Sequence, residues 1–249
     1  MKIKAIAPAL RDEEQRKEIE AAYRRCVGKN VVVDLVTTRG PGRFETRADE
    51  LISEYCIFEE GKKARQEGYD AVMPDCVMDP AVEAIRDSTG LLTLGPLRVS
   101  VNIGSLVGPR FSLVARNEFV LGRLKSKVAC YGFESNIASA QCLDLSYEEF
   151  QSEILLKQAL LREGIRSRKN GACALILGCT TIVDLDSWLQ SEIGITVIAP
   201  GKVTLKVLEA LAGLNYGQFV EQQGGERESD LHSVLDDANS AGGASPISD

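Results

Sequence analysis

Several things are missing from this sequence, and each absence removes a class of function. No apolar run approaches the roughly 20 residues that cross a bilayer, and the opening "MKIKAIAPAL" holds too short an apolar stretch for a signal peptide. A cytoplasmic address with no membrane partner is therefore expected. Histidine is nearly absent: the one residue, His232, lies in a polar tail, so no fixed Cys–His or Ser–His catalytic pair is expected. Positive charge is not in excess, with 29 Lys and Arg against 36 Asp and Glu, which gives nucleic-acid binding no support. The seven cysteines include no CxxC pair and no cysteine–histidine cluster, so neither a disulfide framework nor a metal site is indicated. Neither a full dinucleotide fingerprint nor a GxxxxGK[ST] phosphate loop occurs.

What is present is an alternation of strand and helix patterns over 249 residues, enough chain for one large domain or two of about 100 residues. "KIKAIAP" reads as a buried strand, "RDEEQRKEIEAAYRRCV" as an amphipathic helix and "NVVVDLV" as a strand. A Gly/Pro loop, "TTRGPGRFET", leads to a helix from about Arg47 to Glu67 that Thr46 is placed to cap. "YDAVMP" is the next strand, and "DPAVEAIRDS" a helix with Asp79 at its N-cap and Pro80 at its first position. After "GLLTLGP" the order repeats, from the strand "FSLVA" and helix "NEFVLGRLKSK" to the strand "IASAQCLDL" and a long helix from Ser146 to about Arg168. The strand "ACALILG", a helix over "IVDLDSWLQSEIG", the strand "ITVIAP" and a helix over "GKVTLKVLEALAGL" complete it. This alternation predicts an α/β fold with parallel sheets covered on both faces. From Gln222 the composition turns to Gly, Ser and acid, which predicts a disordered tail over 222–249.

Two cysteines stand out by position. Cys76 follows the strand "YDAVMP" and Cys179 follows "ACALILG", and open α/β sheets bind ligands outside the carboxyl ends of their strands. Both cysteines are expected to face such a crevice, with the following helix N-termini favouring thiolate over thiol. Cys26, Cys56, Cys130, Cys142 and Cys173 read as structural thiols and Trp188 as core. Asp75 either orients the Cys76 thiol or the substrate, or is a strand-end acid facing water. Thr180 and Thr181 either donate to a substrate oxyanion or cap the next helix. Arg39 and Arg43 of "RGPGRF" either meet a carboxylate or sit on an exposed turn.

The two cysteine segments, "PDCVMDPAVEAIRD" and "LGCTT", resemble those of the aspartate, glutamate and hydantoin racemases, which use no pyridoxal phosphate; the first is similar to the hydantoin and allantoin branch. "RGPGRFETRADE", "GPRFSLVARNEFVLGRL" and "ITVIAPGKVTLKVLEAL" extend the resemblance over about residues 2–216. It implies two Rossmann-like lobes related by a pseudo-twofold, 1–95 and 96–200, with a helix over 201–221 crossing back to the first and the active site in the crevice between them. It also implies a small-molecule substrate, no cofactor and a homo-oligomer. Inverting a carbon that bears hydrogen requires a proton removed on one face and returned on the other, and thiols with pKa near 8.5 suit both tasks. Cys76 and Cys179 take those roles in this reading, with Thr46, Arg43, Asp75, Val77, Thr180 and Thr181 as substrate contacts.

Two segments depart from the family pattern. Ala7-Pro8-Ala9-Leu10 stands where the hydantoin branch carries Asn-Pro-Asn-Thr, and Thr181 stands where the aspartate and glutamate branch often carries Glu or His. A cis–trans isomerase using one cysteine covalently, and a two-lobed binding protein without turnover, remain as alternatives. The arylmalonate decarboxylases of the same family lack the first cysteine and resemble the chain less.

Overall fold

The computed structural model describes residues 1–9, 12–41 and 44–217; Leu10, Arg43 and the tail over 222–249 lie outside the described residues. The first half runs β1 (Lys2–Ala7), α1 (Glu13–Cys26), β2 (Val32–Thr37), α2 (Arg47–Gly61), β3 (Ala71–Pro74), α3 (Val82–Thr89) and β4 (Leu92–Thr93). The second half runs α4 (Pro96–Val107), β5 (Phe111–Ala115), α5 (Glu118–Cys130), β6 (Ile137–Cys142), α6 (Tyr147–Phe150), α7 (Glu153–Lys169), β7 (Ala174–Leu177), α8 (Asp186–Ile193), β8 (Thr196–Ile198) and α9 (Pro200–Gly213). Among the described residues every strand pair is parallel, and two four-stranded sheets have the same order, β2-β1-β3-β4 and β6-β5-β7-β8. This is the α/β architecture that the alternating pattern predicts, in the two similar lobes that the resemblance implies.

The central strands are apolar runs because helices cover both their faces. β1 is buried from Ile3 to Ala7 despite a lysine in its middle. Lys4 is 1% exposed, and its ammonium meets Glu60 at 2.7 Å and Glu67 at 2.6 Å. The two halves also exchange helices. Leu97 and Val101 of α4, which follows the first sheet, pack among Phe111, Leu113, Ala174 and Ile176 of the second. Leu205 and Leu208 of α9, which follows the second sheet, pack among Ile3, Val33, Leu35 and Met73 of the first. Both exchanged helices carry proline at the first helical position, Pro96 and Pro200, where the missing N–H costs nothing.

Local structure adds one helix to the sequence expectations and departs from them at three places. "PLRVSVNIGSLV" forms α4, although its valines and isoleucine are modest helix formers; packing on the second sheet overrides propensity. The helix started by Ser146 stops after four residues at Phe150, and α7 restarts at Glu153. α2 ends at Gly61, ahead of Glu67. Asp79 does not cap the helix that follows it: with φ 49 it turns away, α3 begins at Val82, and its carboxylate accepts the Leu97 and Arg98 amides at 2.7 and 2.8 Å. Asp79 therefore caps α4, tying the first half of the chain to the second.

Candidate active site

The two strand ends singled out in the sequence are built on one plan. Ile6 pairs with Pro74 across β1 and β3, and the Asp75 amide then donates to the Ile6 carbonyl at 2.7 Å. Val114 pairs with Leu177 across β5 and β7, and the Gly178 amide donates to the Val114 carbonyl at 2.7 Å. The next residue in each lobe is the cysteine. Cys76 and Cys179 thus occupy equivalent registers, and both line a single cavity of ≈ 120 Å³, with room for a small molecule rather than a nucleotide. Asp75, Val77, Thr180 and Thr181 line it too.

Thr46 lies elsewhere. Its hydroxyl accepts the Asp49 amide and its own amide donates to the Asp49 carboxylate, a capping box that starts α2. Of the two uses foreseen for this residue the capping one is occupied, and Thr46 is not part of the cavity lining. Phe44, from the same loop, is. Arg39 is exposed and outside the lining, and Arg43 lies outside the described residues.

Electrostatics at the thiols run against the expectation of a helix-favoured thiolate. α3 starts at Val82 and α8 at Asp186, so neither cysteine abuts a helix N-terminus. Burial pushes the Cys76 thiol up to about 12, against the pull of the Met78 amide on its sulfur; Cys179, Asp75 and Asp79 push the same way as burial. Burial also raises Cys179, but there the Thr181 hydroxyl and amide and the Arg116 guanidinium pull down. The Cys179 sulfur lies 3.0 Å from Thr181 Oγ1. Burial thus disfavours thiolate at both cysteines, and Cys179 has the surroundings better suited to it.

Between the cysteines runs a buried bridge that pattern reading of the sequence missed. Asp75 is 3% exposed, and its Oδ1 accepts the Tyr23 hydroxyl at 2.7 Å. Tyr23 also reaches the Thr180 carbonyl at 3.4 Å, and the Thr180 hydroxyl donates to the Asp75 carbonyl at 3.1 Å. Burial raises the Asp75 carboxyl to about 6, with the Tyr23 and Thr180 hydrogen bonds opposing it. Gly201 makes room for this bridge, since a β-carbon there would lie 2.1 Å from the Tyr23 hydroxyl. Of the two readings of Asp75, the water-facing acid is excluded by its burial. The Thr180 hydroxyl is likewise used between the lobes rather than on a helix cap or an oxyanion.

Arg116 is another lining residue that the sequence reading passed over. It follows β5 as Pro8 follows β1, and both line the cavity. The strand-end rule that singled out Cys76 and Cys179, applied to "FSLVAR", would have found it. Among the described residues that line the cavity it is the one cation and Asp75 the one acid. Among the described residues, no lysine lines it for a Schiff base and no cluster of three or more His, Cys, Asp or Glu is arranged for a metal.

Comparison with known proteins agrees with this geometry. The model of the Asp/Glu/Hydantoin racemase family matches residues 15–208. A hydantoin racemase of Pseudomonas sp. (strain NS671) is 29% identical over 217 residues, covering 86% of this chain and 87% of that one. The fold superposes on an allantoin racemase from Klebsiella pneumoniae with TM-score 0.81 at 22% identity, over 91% of this chain and 96% of that one. An arylmalonate decarboxylase superposes less well, with TM-score 0.61 at 14% identity over 88% and 98% of the two chains. No helix among the described residues is long and apolar enough to cross a membrane. The chain therefore belongs to the Asp/Glu/Hydantoin racemase family and is an isomerase of that family.

Proposed function

We propose that this enzyme inverts a carbon-acid stereocentre of a hydantoin- or allantoin-like cyclic ureide without a cofactor, with Cys76 and Cys179 as acid and base on opposite faces. The observation that carries this reading is the equivalent register of the two cysteines, each just beyond the third strand of its own sheet and both lining one cavity. A substrate seated between them meets one sulfur on each face. Cys179 acts as thiolate, supported by the Thr181 hydroxyl and amide, and takes the proton; Cys76, held protonated by burial, returns one. Turnover in the opposite sense exchanges the roles. Asp75, through Tyr23 and Thr180, holds the two cysteine loops in register. The same reading carries a cytoplasmic address, supported by cysteines that are all free among the described residues, and a homo-oligomer like that expected of the family.

The test is incubation of each enantiomer of a panel of hydantoins, allantoin, aspartate and glutamate in D₂O. Proton NMR follows loss of the Cα–H signal and polarimetry follows inversion. Exchange with inversion of a cyclic ureide, without added cofactor, is the expected result. Binding without exchange across the panel would overturn the reading in favour of a binding protein.

A further inference from the structure

Arg116 is held inside the cavity with little to hold it there. Its side chain is 13% exposed, and its carboxylate neighbour, Glu45, is 3.4 Å away and 49% exposed. Its guanidinium also stands 5.9 Å from the centre of the Tyr147 ring, which borders the same cavity. A guanidinium offers five N–H donors in a planar fork matched to carboxylate, and the contact with Glu45 uses one of them at the long end of hydrogen-bond range. A cation drawn out of water is costly unless paired. At the matching strand end of the other lobe stand Ala7, Pro8 and Ala9, which bring no charge and no side-chain hydrogen bond to the lining.

From this we infer that Arg116 is a specificity residue: it takes an anionic group, a carboxylate, on the side chain of the substrate, so that the preferred substrate is an acidic cyclic ureide rather than a neutral one. The inference rests on the proposed racemase reading and adds to it the charge of the substrate. Arg116 follows the last residue of β5, the strand beside β7, and its charge acts on Cys179. The carboxylate therefore lies on the Cys179 side of the cavity, and the apolar Ala7–Ala9 wall faces the remainder of the ring.

The experiment compares two hydantoins of equal size, one with a carboxyethyl side chain and one with the uncharged carbamoylethyl group. Solvent deuterium exchange at the stereocentre is measured as kcat/KM. The parent enzyme is expected to favour the acid by about 10- to 100-fold, the range for a hydrogen bond to a charged group. Arg116→Gln is expected to bring that ratio close to one, and Arg116→Lys to keep part of it, because the charge remains while the fork is lost. Equal rates on the two compounds with the parent enzyme overturn the inference and leave the racemase reading standing. No exchange on either overturns the racemase reading, and the inference with it. If Arg116→Gln fails to fold, as read by circular dichroism, the parent ratio and that of Arg116→Lys decide.

Discussion

Asp75-Cys76 and Gly178-Cys179 are the same backbone used twice, with different electrical surroundings. In each lobe an amide donates 2.7 Å to the central strand, a cysteine follows, and an amide two residues on reaches its sulfur. The side chains diverge from there. The first lobe places a buried carboxyl before its thiol and apolar Met78 after it; the second places glycine before and the Thr181 hydroxyl after, with Arg116 on the neighbouring strand end where the first lobe has Pro8. Topology thus makes the two thiols equivalent in position, and side chains make them unequal in acidity. In the proposed scheme one thiol is ionised while the other is protonated, and these surroundings favour Cys179 as the one that ionises first.

The largest expected effect breaks the comparison outright. Cys76→Ser and Cys179→Ser should each reduce racemisation by about 10²-fold or more, since inversion needs both proton removal and proton return. The variants should differ in deuterium exchange. Each keeps one thiol, so each washes out the Cα–H of one enantiomer with retention and leaves the other untouched, with opposite preferences. Proton NMR on the separate enantiomers reads this, and inversion that survives either substitution rules out the two-thiol scheme.

Stability separates the two strand ends next. At Gly178 a β-carbon would lie 2.3 Å from the Val114 carbonyl oxygen and 3.0 Å from Ala115. Backbone cannot yield as a flexible side chain does, so Gly178→Ala should cost about 1–3 kcal/mol, measured by urea unfolding. The matching position in the first lobe already holds Asp75, and Asp75→Asn should cost less, because the amide oxygen still accepts the Tyr23 hydroxyl. Equal losses at the two positions would mean that the lobes are packed more alike than the glycine implies.

The repeated fold and the two cysteines were legible in the sequence for one reason. Short apolar runs end at turn residues, and the strand-end rule turns each such boundary into a position facing a ligand. What escaped depends on contacts distant in the chain. Tyr23 meets Asp75 across 52 residues, and within "EIEAAYRRC" it reads only as one more apolar position of a helix. Asp79 stands before proline in the pattern of an N-cap, yet caps a helix that begins at Pro96. α4 itself was unreadable because the surface its valines cover belongs to the other sheet. The helix N-termini expected beside the thiols were misplaced because pattern puts a helix close behind each cysteine, whereas intervening loops separate them.

A smaller effect sharpens the electrical contrast. Ionised Asp75 disfavours thiolate at both cysteines, so Asp75→Asn should move the pH midpoint for iodoacetamide alkylation of each downward, as read by peptide mass spectrometry. The stability consequence has a fixed sign. Asp75 is raised from 3.8 to about 6 in the folded chain; the stability associated with its protonated form is complete below pH 3.8 and lost as pH rises through 6. The melting temperature of Asp75→Asn relative to the parent should therefore climb between pH 4 and about 7 and level off above. A constant difference across that window would show that Asp75 titrates as an ordinary carboxyl.

The finest distinction is the hydroxyl that the second lobe has and the first lacks. Thr181 Oγ1 lies 3.0 Å from the Cys179 sulfur and, with the Thr181 amide, opposes the rise that burial causes there. Valine has the shape of threonine without the donor, so Thr181→Val removes one hydrogen bond to the thiolate and little else. A hydrogen bond to a charged group contributes about 1.5–3 kcal/mol, and sulfur is a weak acceptor, which sets the expected loss in kcat/KM at the low end, about tenfold. The alkylation midpoint of Cys179 should rise, while that of Cys76, whose corresponding residue is Met78, should stay where it was. Because a general loosening of the fold would move both thiols, a shift at Cys179 alone identifies the hydroxyl as the element that makes one of two equivalent cysteines the readier base.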